Sequence, residues 1–174
     1  MMNNSTYNPQ LLSRIEYIYT NCNELIKSTF GREFQMSGNI GIFAQSDEEF
    51  NSFKQIADEL TRPSDNANQK YFALKVPIIL KDPDAEFTHL YVRKFDPSEY
   101  GKNKGDIDFV TDLESYKKYK QEVVNSKYPE AQMYDRPGWD TIQINKPEVD
   151  VVAYLTTTEF ARKVRVKFDN LTQL

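Results

Sequence analysis

Between Leu11 and Ile26 the apolar side chains return at alternating steps of four and three. Leu11, Ile15, Ile18, Cys22 and Leu25 form the stripe, and Leu12, Tyr19 and Ile26 widen it. Only a helix gathers such positions onto one face, and a face this apolar has to be covered by the rest of the chain. Asn8-Pro9 can cap and start the helix, and Gly31 can end it. The eight residues before Pro9 are Asn-rich and polar, and they are expected to be disordered.

A second helix is expected after Ser46-Asp47-Glu48-Glu49, a capping-box pattern, with Phe50, Phe53, Ile56, Ala57 and Leu60 as its buried side. Arg62-Pro63 stops it. Asp112 caps a third helix running to about Asn125, with Leu113, Tyr116 and Val123 on a thinner stripe. Elsewhere the period falls to two. Asn39–Gln45, Tyr71–Leu80, Phe87–Phe95, Asp106–Val110, Thr141–Ile144, Val149–Thr156 and Val164–Phe168 all read as strands. Pro77 inside the second of these suggests an edge strand or a bulge. Asp82-Pro83-Asp84 reads as a turn. Strands joined by short turns pair antiparallel. The expected fold is therefore one α+β domain over residues 9–174: a largely antiparallel sheet with about three helices packed mainly on one face.

At 174 residues the chain is long enough for a full core. It carries a single cysteine and a single histidine. That excludes a disulfide framework, a cysteine-rich zinc site and any multi-histidine metal site. The formal net charge of −4 argues against a nucleic-acid partner held through phosphates. No apolar run approaches the ~18–20 residues of a membrane span, and the first residues have no secretory pattern. A cytoplasmic location without a membrane partner is expected. There is no P-loop, no G-x-G-x-x-G and no G-x-S-x-G.

Four groups of residues carry possible chemistry. In Gly105-Asp106-Ile107-Asp108-Phe109 the two carboxylates share one strand face, about 6.5–7 Å apart along the chain. With Asp150 as a third, they could hold Mg²⁺ or Mn²⁺ for phosphoryl or nucleotidyl transfer. The Gly-Ser turn into a helix that precedes such a strand in nucleotidyltransferases is missing. The plainer alternative is charge pairing with Arg93 and Lys94 across a hairpin. His89, Tyr91 and Arg93 share another face. They could bind an anion, with His89 as general base and Arg93 as the anion's fork, or simply form a solvated side of the sheet. Tyr91 with Tyr71 or Tyr154 would make an aromatic cup. Arg136 and Trp139 sit in a Pro- and Gly-containing loop of the kind that binds ligands, unless Trp139 folds back over the core. Lys163, Arg165 and Lys167, with Arg162 beside them, could meet an acidic partner or a phosphate backbone, or more plainly form a basic row that guards an exposed edge strand against aggregation.

Few catalytic residue types and many aromatics favour a non-catalytic domain that binds a protein or small-molecule ligand through Tyr91, Arg93, Arg136 and Trp139. No cofactor is expected on that reading. The alternatives are the metal enzyme of Asp106, Asp108 and Asp150, and an enzyme using His89 and Arg93.

Overall fold

Asn8 caps α1 (Pro9–Phe30), its side-chain oxygen accepting from the backbone N–H groups of Gln10 and Leu11. Pro9 stands in the first turn, where its missing donor is not needed. Gly31 closes the helix in the left-handed region at φ 71°. A computed structural model describes residues 7–81, 84–136 and 138–167, and only the backbone of Arg136. The expected disorder of the first residues and the Asp82-Pro83 part of the turn lie outside the described residues. Tyr7 and Asn8 do not: the Tyr7 hydroxyl donates to the Pro77 carbonyl at 3.1 Å.

The other elements follow in the order β1 (Gln35–Phe43), α2 (Asp47–Leu60), β2 (Phe72–Lys81), β3 (Asp84–Arg93), β4 (Gly105–Thr111), α3 (Leu113–Val124), β5 (Ala131–Arg136), β6 (Trp139–Ile144), β7 (Val152–Thr157) and α4 (Thr158–Lys163). Ser46 caps α2 through the Glu49 N–H. Glu49 in turn pairs with Arg14 of α1 at 2.5 Å, tying the two helices together. Asp112 caps α3, accepting from the Ser115 N–H at 2.9 Å. Asp112→Ala should cost about 1 kcal/mol, read as a lower urea midpoint with unchanged slope.

The sheet has seven strands in the order β2-β3-β1-β4-β7-β6-β5. It is mixed, not largely antiparallel: β1 pairs parallel with β3, and β4 parallel with β7. Parallel neighbours need a long crossover, and the helices supply it. The chain leaves β1 through α2 and β2 before β3 returns beside β1. It leaves β4 through α3 and the β5–β6 hairpin before β7 returns beside β4. β1 thus lies between β3 and β4, so these two form no hairpin and the expected pairing of Arg93 and Lys94 across it is lost. β2 is an edge strand, and its register with β3 shifts between Ala73 and Ile78, around Pro77.

α1, α2 and α3 join one apolar core with the near side of the sheet, where Ile40, Ile42, Ile107, Phe109 and Leu155 are fully buried. Cys22 is fully buried there, its Sγ donating to the Val152 carbonyl at 3.4 Å, and burial pushes its thiol pKa up. The α-helices number four among the described residues. α4 lies against β1, β4 and β7 on the far face. It stands just before the expected Val164–Phe168 strand. Thr157 accepts from the Phe160 N–H and starts a helix directly after β7. Val164 only closes that helix and Val166 makes one isolated bridge to Gln69, while Phe168 lies outside the described residues. No helix among the described residues is long and apolar enough to cross a membrane.

Candidate functional site

Strand alternation decides what β4 shows to each side. Ile107 and Phe109 enter the core beneath α1, so Asp106 and Asp108 must point to the far face. That face holds a cavity of about 720 Å³. Asp106, Asp108, Tyr91, Arg93, Tyr154 and Thr156 line it from the sheet; Trp139 from β6, Phe160 from α4 and Val166 beyond it also line it.

Both carboxylates are only 6% exposed. The Tyr71 hydroxyl donates to Asp106 Oδ1 at 3.2 Å, and Asn39 Nδ2 donates to Asp108 Oδ2 at 2.9 Å. Asn39 is held in turn: it donates to the Ala161 carbonyl, and Arg165 Nε donates to its Oδ1 at 2.8 Å. Gly41 stands beside Asp106 in the register of β1 and β4. A Cβ there would lie 2.2 Å from Asp106 Oδ1, so the absent side chain is what leaves room for the carboxylate. Burial raises the pKa of Asp106, opposed by Lys70 and the Tyr71 bond. Burial and then the Asp106 charge push Asp108 up to about 7, against the Asn39 bond. Two neighbouring carboxylates with so little exposure do not both ionise readily, so near neutrality the pair keeps one proton.

The walls are aromatic and two cations rest on them. Lys70 Nζ lies over the rings of Tyr71 and Tyr91, at 5.3 and 5.2 Å. The Arg93 guanidinium lies over Phe43 and Tyr100, at 5.0 and 4.8 Å, and pairs with Asp96 at 2.6 Å. Tyr100 enters from the loop after β3 and shares a 2.6 Å hydroxyl contact with Tyr154. Burial raises the pKa of both phenols, so they stay neutral donors and acceptors. Gly101 allows this approach: a Cβ on it would lie 1.8 Å from the Asp96 carbonyl oxygen. On the opposite side Trp139 stacks on Phe160, with centroids 5.2 Å apart and planes at 31°, and also meets Tyr134.

The fold brings together Tyr91, Arg93, Trp139, Asp106 and Asp108 in one cavity, with Tyr71 and Tyr154 beside them. Tyr71 and Tyr91 do meet, 5.5 Å between centroids. Trp139 opens a strand rather than hanging in a loop. Pro137 and the side chain of Arg136 lie outside the described residues. Asp150 stands apart from the pair. It accepts from the Tyr17 hydroxyl at 2.6 Å and pairs with Lys104 at 3.0 Å. Burial pushes its pKa up, but these two partners hold it below the usual value. His89 does not line the cavity; its Nδ1 lies 2.9 Å from the Thr88 hydroxyl. Burial and then Arg165 lower its pKa to about 4, leaving it neutral at pH 7. No three His, Cys, Asp or Glu side chains gather as a metal site among the described residues. Arg165 is no member of an exposed basic row: it turns inward to Asn39, because the segment bearing it is a turn after α4 and not a strand.

Lys70, Tyr100 and Phe160 complete the cavity without having stood out in the sequence. Lys70 sits in a polar loop, and its role follows only from the hydrogen bond of its N–H to the Arg165 carbonyl. No family model matches the chain, and no curated protein matches it. A solved structure described as "Structural Genomics, Protein EC4020" is 11% identical over 94% of this chain and 97% of that one, with a TM-score of 0.49, a likeness too slight to carry anything across.

Proposed function

We propose that the chain is a small-molecule-binding domain whose ligand sits in the far-face cavity, between Trp139 and the Asp106–Asp108 pair. The carrying observation is that two carboxylates only 6% exposed share the floor of that cavity. Burying a carboxylate is costly, and apolar residues of similar volume would serve stability as well or better. Polar groups retained at such a position, inside a concave aromatic site, are the usual construction of a ligand pocket. A concave site of this size suits a small molecule better than a protein face.

The test is a thermal-unfolding screen of small polar metabolites on wild type and Trp139→Ala. A ligand at about 100 times its dissociation constant adds ~2.7 kcal/mol, a shift of several degrees for a domain of this size. Such a shift should appear for wild type and shrink below about 1 °C for Trp139→Ala. Equal shifts in both proteins would place the ligand elsewhere.

A divalent-metal enzyme is the second reading, favoured by Lys70 and Arg93 lining the same cavity as the two carboxylates. Cations placed there could steady phosphate oxygens while Asp106 and Asp108 hold Mg²⁺ or Mn²⁺. Asp150 has no part in this version. Millimolar Mg²⁺ or Mn²⁺ should then raise the melting temperature of wild type and leave Asp106→Asn/Asp108→Asn unmoved. No shift in either protein would remove this reading.

A further inference from the structure

We propose that the cavity takes a neutral, polyhydroxylated ring, a carbohydrate, with hydroxyls on the Asp106–Asp108 pair and its C–H face against the aromatic wall that includes Trp139. This rests on the binding reading above and names its ligand class.

The charges lining the cavity nearly balance. The side chains lining the cavity include Lys70, Arg93 and Lys167, set against Asp96, Asp106 and Asp108. With one proton on the Asp106–Asp108 pair the excess is a single positive charge, and Arg93 is already paired with Asp96. A cationic ligand at the carboxylates would compete with Lys70, which already sits over Tyr71 and Tyr91 beside them. An anion at Lys70 or Arg93 would face the buried carboxylates across the same cavity.

Hydrogen-bonding geometry then selects hydroxyls. The two carboxylates stand on alternate residues of one strand, about 6.5–7 Å apart along it. Sugar hydroxyls spread around a ring perimeter and reach groups at different positions. A carboxyl pair holding one proton both donates and accepts, and so does a hydroxyl. Tyr154 and Thr156 extend the hydrogen-bonding floor across β7, and Thr141 extends it across β6. The aromatic side, with Trp139 stacked on Phe160, offers the apolar surface that a ring's C–H face needs.

The only tryptophan of the chain lines this cavity, so its emission reports occupancy directly. The full chain is titrated with glucose, galactose, mannose, N-acetylglucosamine, maltose and cellobiose, then with choline, adenosine and inorganic phosphate. Each is checked by thermal shift as well. At least one sugar should give a saturable change with a millimolar or tighter midpoint. That midpoint should weaken tenfold or more in Asp106→Asn and in Asp108→Asn, whose folding is verified by their melting curves. Undiminished sugar binding in both variants would overturn the assignment. So would saturation by choline, adenosine or phosphate with silence from every sugar, an outcome that leaves the pocket reading standing. Silence from every sugar would overturn it as well, and silence from all probes with no Trp139-dependent hit in the metabolite screen would also remove the pocket reading.

Discussion

Asp108→Asn is expected to make the protein more stable at pH 8 while leaving its stability at pH 4 nearly unchanged. In the folded chain burial and the Asp106 charge hold the Asp108 pKa at about 7. In the unfolded chain it returns to about 3.9. The folded state therefore binds this proton more tightly. Below pH 4 both states are protonated and burial costs little in charge. As pH climbs from 4 to 7 the unfolded chain releases the proton first, and stability drains away. Above 7 the loss is complete, of order 4 kcal/mol at most for a shift of this size. The amide that replaces the carboxyl would not titrate, and its oxygen could still accept from Asn39. Urea midpoints at pH 4, 6 and 8 should fall with pH more steeply for wild type than for the variant. Parallel pH profiles would mean that Asp108 is solvated in a way its 6% exposure does not suggest. A gain in stability paired with lost ligand affinity is the usual signature of a group kept for binding.

Gly41→Ala should lower stability by about 1–3 kcal/mol and abolish binding in the cavity, although position 41 itself touches no ligand. The added methyl would stand 2.2 Å from Asp106 Oδ1 and 3.1 Å from its Cγ, while Phe43 closes the other side at 3.3 Å. Asp106 must swing away, and the buried Tyr71 hydroxyl then loses its acceptor. The check is a double-mutant cycle. In an Asp106→Ala background only the Phe43 ring edge at 3.3 Å stays against the methyl, so Gly41→Ala should cost about 1 kcal/mol or less. A full cost in that background would locate the strain in the backbone of β1 instead.

Several local features of this fold could be read directly from the chain. The stripe of α1, the caps at Asn8, Ser46 and Asp112, and the edge position of β2 around Pro77 all follow from neighbours within a turn or two. Capping, periodicity and the missing donor of proline act over such distances, and nothing distant has to be known. The same local rule places Asp106 and Asp108 on one face, opposite Ile107 and Phe109. After β7 Thr157 caps a helix, and the turn that follows it holds Val164 and Arg165, so among the described residues of the expected strand only Val166 makes a bridge.

The parallel pairings are a different matter. They depend on α2 and α3 carrying the chain far enough to bring β3 back beside β1 and β7 back beside β4, and strand alternation does not encode direction. The site inherits this. Lys70 and Tyr71 reach Asp106 because β2 and β3 turn back toward β1, and Trp139 meets Phe160 because the β5–β6 hairpin and α4 flank the same strand. Asp150, only a short step before β7, leaves the pair because Tyr17 and Lys104 meet it elsewhere. Local periodicity sets which faces are apolar and which residues are turned away from the core. Tertiary structure alone decided which of those residues share a cavity, because their contacts join positions tens of residues apart, and only the packed sheet fixes such distances.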